Sequence, residues 1–172
     1  MVGLWQHASP ELLALELGQR LLARQWRLAT AESCTGGGLA YAITAVAGSS
    51  GWFDQGVVAY ANSVKQQLLA VPEPLLATHG AVSAPVVVAM AEGVRRSSGA
   101  QLAVATSGIA GPGGGTSDKP VGLVWFGFAL DGQCHAEQRL FAGSRDQVRT
   151  LAIRHALLRL NQICEAGQLD TV

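Results

Sequence analysis

Three short stretches of this chain could carry chemistry or bind the molecule on which it is done. They are Glu32-Ser33-Cys34-Thr35-Gly36-Gly37-Gly38, Tyr60-Ala61-Asn62-Ser63-Val64-Lys65, and the glycine-rich run from Ser107 and Gly108 to Gly115. In the first, a serine and a cysteine stand beside glycines that let backbone approach a ligand closely. Free N–H groups at the start of a following helix would be placed to stabilise a developing oxyanion. The plainer reading is that Ser33 or Thr35 only caps that helix.

Lys65 supplies a candidate base. With Ser63 as a cap, it falls in the first turn of a helix, where the macrodipole disfavours a positive charge and loosens the proton. A desolvated lysine is a suitable base for a serine hydroxyl, and Ser–Lys pairs are a known form of nucleophile activation; an ordinary surface lysine is the alternative. Tyr60 is placed to hydrogen-bond Lys65 or relay its proton; packing with a satisfied hydroxyl is the alternative. Cys34 is the rival nucleophile, because a thiolate at a helix N-terminus has a depressed pKa. It lacks an obvious base: His79 alone lies near a loop, while His7, His135 and His155 fall in a terminal segment, a hairpin strand and a helix. Arg145, one residue past the Ser144 cap, would hold a phosphate together with backbone donors, with an ordinary exposed arginine as the alternative.

Positioning these residues requires alternating strands and helices. Leucines at 12, 13, 17, 21 and 22 after Ser9-Pro10 predict a helix from Pro10 to Gln25. Arg27 to Ala31 reads as a strand, Leu39 to Val46 as a helix, and Gly56 to Ala61 as a strand before a capping box at Ser63-Val64-Lys65-Gln66. A short helix over Pro72 to His79 and a longer one after Ser83 lead to a buried strand from Gln101 to Thr106. Strands at Val121 to Leu130 and Gln133 to Phe141 flank Asp131-Gly132, a favoured two-residue hairpin turn. A second capping box, Ser144 to Gln147, opens a closing helix. The expected fold is α/β, a three-layer α/β/α sandwich on a mixed sheet. In such sheets ligands bind outside the carboxyl ends of the strands, so the three polar turns would share one cleft.

Composition narrows the function classes. The 172 residues suit one domain spanning 1–172, with a core from about 10 to 165. The residues are 49% hydrophobic and only 14% charged, which predicts a large core or a self-association surface, hence a homo-oligomer, dimer or higher. The formal net charge is zero and the basic residues are scattered, which argues against nucleic acid as a partner. No signal-like start and no apolar run of the roughly 18 residues needed for a span are present, so no membrane association and a cytoplasmic location are expected. Three widely spaced cysteines without zinc spacing predict neither a disulfide framework nor a structural metal. The third loop lacks the G-K-[ST] ending of a P-loop and the dinucleotide fingerprint.

Together, Thr30-Ala31-Glu32-Ser33-Cys34-Thr35-Gly36-Gly37, Tyr60-Ala61-Asn62 with Lys65, His79-Gly80-Ala81-Val82-Ser83, Ser107-Gly108-Ile109-Ala110-Gly111-Pro112 and Lys119-Pro120-Val121-Gly122 closely resemble the CinA carboxy-terminal family, in the family's order. The resemblance runs from about Pro10 to Cys164. It implies an amidohydrolase that converts nicotinamide mononucleotide to nicotinate mononucleotide and ammonia without cofactor, in pyridine nucleotide recycling. By the same resemblance Ser33 is the nucleophile, Lys65 the catalytic lysine and Tyr60 its assistant, with Ser107 and Arg145 contacting substrate. Thr35, Gly36, Gly37, Asn62 and Gly108, on the same turns, complete the expected substrate-binding set. Many relatives carry an additional amino-terminal domain that this sequence lacks, so only the amidase activity is implied. A binding module that holds a nucleotide without turnover is the principal alternative, and a protein-binding role for the apolar surface is the other.

Overall fold

The computed structural model describes residues 8–169; His7 lies outside them. Helix α1 spans Pro10–Arg24, with the Ser9 hydroxyl accepting the Leu12 N–H and Gln25 ending it in the left-handed conformation (φ 55°). Its inward stripe is Leu13, Ala14, Leu17, Gly18 and Leu21. Leu12 and Leu22 flank that stripe and are exposed. Strand β1 is Leu28–Glu32, α2 is Gly38–Thr44, β2 is Phe53–Val58, α3 is Asn62–Leu69, α4 is Glu73–His79 and α5 is Ala84–Ser98. Then follow β3 (Leu102–Gly108), β4 (Leu123–Leu130), β5 (Gln133–Leu140) and α6 (Arg145–Ala166).

The sheet order is β2-β1-β3-β4-β5. β2, β1 and β3 are parallel, whereas β4 and β5 run antiparallel. The expected mixed sheet is therefore present, and Asp131-Gly132 closes the hairpin with positive φ at both positions.

Alternation along the strands gives the two faces different characters. Leu28, Leu102, Val104, Phe126 and Phe128 pack with residues of α1, α2 and α6. Ala29, Ala31, Ala103, Ala105 and Ala129 face α5 and the ends of α3 and α4. The small residues let α5 lie directly on the sheet: a Cβ on Gly127 would sit 2.2 Å from the carbonyl oxygen of Val87. Gly93 likewise brings α5 against α3, its absent Cβ falling 2.0 Å from the Leu69 carbonyl oxygen.

Two local expectations differ from the structure. The second strand lies earlier than the predicted 56–61, because the inward-outward alternation of β2 begins at Phe53. Tyr60 is consequently two residues past the strand. The predicted Ser63 cap does not form: α3 starts at Asn62 after Ala61, with no side-chain cap bond. At Ser144 the capping box is complete, since its hydroxyl accepts the Gln147 N–H and Gln147 reaches back to the Ser144 N–H.

Candidate active site

The carboxyl ends of β1 and β3 are neighbours, and the first turn is built on their junction. The Ser33 N–H donates to the Thr106 carbonyl (2.9 Å), and the buried Thr35 and Thr106 hydroxyls meet at 2.8 Å. Gly36 (φ 61°) and Gly37 (φ 90°) then turn the chain into α2 through a conformation that other residues rarely adopt. Ser33 is left half-buried at the mouth of this turn.

Lys65 reaches the same place from α3. It is only 1% exposed, and its Nζ lies 3.2 Å from Ser33 Oγ, 2.8 Å from the Ala59 carbonyl oxygen and 3.1 Å from that of Tyr60. Burial holds the amine below the ordinary lysine range, and no carboxylate is among these partners to restore the charge. Desolvation is the principal cause of the lowered value, and Lys65 also lies in the first turn of α3. Nζ is the donor in all three contacts, to the Ser33 hydroxyl oxygen and to the two carbonyls.

Tyr60 contributes to this contact through its backbone. Its side chain is 61% exposed, and its hydroxyl accepts from Arg145 Nη2 at 3.2 Å rather than meeting Lys65. Arg145 Nη1 donates to the Gly111 carbonyl (2.8 Å), so this guanidinium joins the first turn of α6 to the third loop. That loop runs from Ile109 to Gly122 and is largely exposed from Pro112 to Asp118. Ser107 is buried at the end of β3. Gly108 has a backbone reason for its identity, because a Cβ there would lie 2.7 Å from the Leu123 carbonyl oxygen. Asn62 is exposed at the start of α3.

The oxyanion expectation needs a correction. The donors at the start of α2 are occupied: the Glu32 carboxylate accepts the N–H groups of Gly37, Leu39 and Ala40 at 3.1, 3.0 and 2.8 Å. Gly36 and Gly38 donate to the carbonyls of Ser33 and Thr35. The N–H groups of Cys34 and Thr35 instead lie against the Cys34 sulfur, a weak acceptor. Cys34 itself is 6% exposed and its thiol is pushed up to about 12 by burial, with the Glu32 charge adding to the effect. This environment opposes the thiolate that the rival mechanism requires.

Glu32 and Arg149 were not among the residues expected from sequence. Arg149 Nη2 donates to the Thr35 carbonyl (3.0 Å) and lies beside Gly36. Its position four residues after Arg145, one turn along the same helix, was the signal available for it. Among the described residues, no group of three or more His, Cys, Asp or Glu side chains is placed to hold a metal ion. No helix among them is long and apolar enough to cross a membrane.

A mixed α/β/α sandwich with a Ser–Lys pair at the carboxyl ends of its parallel strands defines the class of protein. The chain belongs to the CinA C-terminal domain family, whose model matches residues 11–164. It is 52% identical over 141 residues to the nicotinamide-nucleotide amidohydrolase PncC of Enterobacter agglomerans, covering 81% of this chain and 86% of that one. It is 51% identical over 151 residues to the PncC amidohydrolase of Escherichia coli, covering 87% and 92%. The crystal structure of a competence damage-inducible protein A from Klebsiella pneumoniae superposes with a TM-score of 0.91 at 40% identity, over 94% of this chain and all of that one.

Proposed function

We propose that the protein is a nicotinamide-nucleotide amidohydrolase, releasing ammonia from nicotinamide mononucleotide with Ser33 as nucleophile and Lys65 as base. The observation that carries the catalytic assignment is the setting of Lys65 Nζ, which has two carbonyl acceptors and one serine hydroxyl around it. The amine accepts the Ser33 proton as Oγ attacks the carboxamide carbon. In this reading the N–H groups of Cys34 and Thr35, which face the Cys34 sulfur, are the donors for the oxyanion. Collapse of the tetrahedral species returns the proton to the departing nitrogen as ammonia. Water then hydrolyses the acyl-enzyme with Lys65 again as base.

Arg145 stands beside Tyr60 and the third loop, where a guanidinium suits the phosphate of a nucleotide. In this reading its bonds to Tyr60 and Gly111 exchange for phosphate contacts on binding. The chemistry calls for no cofactor, nucleic acid or membrane. A cytoplasmic homo-oligomer fits the sequence composition.

The test is ammonia release from nicotinamide mononucleotide by the wild type, Ser33→Ala, Lys65→Met and Cys34→Ala. The expected result is turnover in the wild type and Cys34→Ala, lost in the other two. Nucleotide binding without ammonia from the wild type would replace the reading with that of a binding module.

A further inference from the structure

We infer that Glu32 is a positioning residue for the nucleophile, an inference that rests on the Ser–Lys reading above. Glu32 is the last residue of β1, directly precedes Ser33 and is 1% exposed. Its carboxylate accepts three N–H groups from the first turn of α2: Oε2 those of Gly37 and Leu39, Oε1 that of Ala40. Helix α2 has seven residues, and its own N-cap, Gly37, offers no side chain. So short a helix is marginal without an external cap. The carboxylate supplies that cap from the strand and draws the turn closed around Ser33.

The same residue also reaches the base through its backbone. The Glu32 carbonyl accepts the Ala59 N–H at 2.9 Å, and the Ala59 carbonyl in turn accepts from Lys65 Nζ at 2.8 Å. One residue therefore ties down both partners of the 3.2 Å Ser33–Lys65 contact. Its backbone holds the base, and its side chain holds the loop that presents the nucleophile. Only the second tie is removed by substitution.

Glutamine cannot replace the carboxylate, because its NH2 group would face N–H donors and one acceptor oxygen would be lost. Aspartate keeps the charge and both oxygens but is one methylene shorter. The experiment measures two rates on folded wild type, Glu32→Gln and Glu32→Asp. One is covalent labelling of Ser33 by an alkyl sulfonyl fluoride, followed by intact mass. The other is turnover of nicotinamide mononucleotide, with kcat and KM separated.

The expected result is a parallel fall in labelling and kcat of about 10- to 100-fold in Glu32→Gln, the scale of a nucleophile displaced by about 1 Å. KM stays near the wild-type value, and Glu32→Asp recovers part of both rates. A folded Glu32→Gln that labels and turns over like the wild type overturns the inference. Should Glu32→Gln not fold, Glu32→Asp decides by the same criteria. If that variant is lost as well, amide exchange in the wild type decides, and rapid exchange at Gly37, Leu39 and Ala40 overturns the inference. A wild type that labels at Ser33 but releases no ammonia sinks the amidase reading alone, because the labelling comparison still judges Glu32.

Discussion

Lys65 Nζ and Ser33 Oγ lie 3.2 Å apart across a separation of 32 residues, and among the described residues no carboxylate pairs with the amine to hold its proton. Activity is therefore expected to rise with pH through a Lys65 pKa below the ordinary lysine value, and to be lost as pH falls through it. Stability carries the same signature. Between the lowered folded value and the ordinary one, the unfolded chain holds a proton on Lys65 that the folded chain has released, so the Lys65 contribution to stability climbs with pH across that window. The buried Cys34 and Cys164 thiols, pushed up to about 12, work in the opposite direction over part of this range, so the Lys65 effect is read as the difference in urea midpoint between wild type and Lys65→Met, which should climb with pH across the window. A difference between wild type and Lys65→Met that falls over the same window would contradict a lowered Lys65.

The three thiols should separate cleanly by reactivity. Cys134 is exposed, whereas Cys34 and Cys164 are buried and both pushed up to about 12 by that burial. A disulfide-exchange reagent at mildly alkaline pH should titrate one thiol in the native protein and the other two only after unfolding. Rapid native modification of Cys34, with loss of ammonia release, would restore it as the nucleophile.

Tyr60 and Arg145 make a prediction about which kinetic constant moves. Tyr60→Phe removes the hydroxyl that meets Arg145 but leaves the carbonyl that holds Lys65. The pH dependence of kcat should therefore keep its limb. Arg145→Ala should raise KM by about tenfold, equivalent to about 1.4 kcal/mol of binding. A displaced pH limb in Tyr60→Phe would put the hydroxyl in the proton path.

Adding one methyl group should be costly where α5 touches its neighbours. At Gly127 and Gly93 a new Cβ meets backbone oxygens at 2.2 and 2.0 Å, which side-chain rotation cannot relieve. Gly127→Ala and Gly93→Ala are each expected to lose about 2–3 kcal/mol. That corresponds to a fall in melting temperature of about 5–10 °C by calorimetry. An unchanged melting temperature in both would mean that α5 does not lie on the sheet as described.

Much of this arrangement is readable before any coordinates. Cap residues such as Ser9 and Ser144, and turn residues such as Asp131-Gly132, act within a few positions of themselves, so their pattern predicts their geometry. The Ser33, Lys65 and Arg145 turns were recognisable because strand ends feeding glycine or helix starts form a local pattern. What sequence could not supply were partners chosen by the tertiary fold. Ser63 reads as a cap by type, yet the chain enters α3 from Ala61, two residues earlier, and leaves it unused. Tyr60 reads as a side-chain helper to Lys65 because both are polar and near in sequence, but the turn after β2 points its hydroxyl to α6. Glu32 reads as an ordinary polar residue before a serine. That its carboxylate folds back onto amides five to eight residues ahead depends on how α2 leaves the sheet.

The Asp131-Gly132 turn has a practical side. Because β4 runs antiparallel to β3, Leu130 pairs with Leu102, placing this turn at the opposite end of the sheet from Ser33 and Ser107. Both turn residues are exposed. A reporter, an affinity peptide or a surface tether grafted between them would sit away from the catalytic end, giving a handle for immobilising the protein with its active-site mouth facing solution.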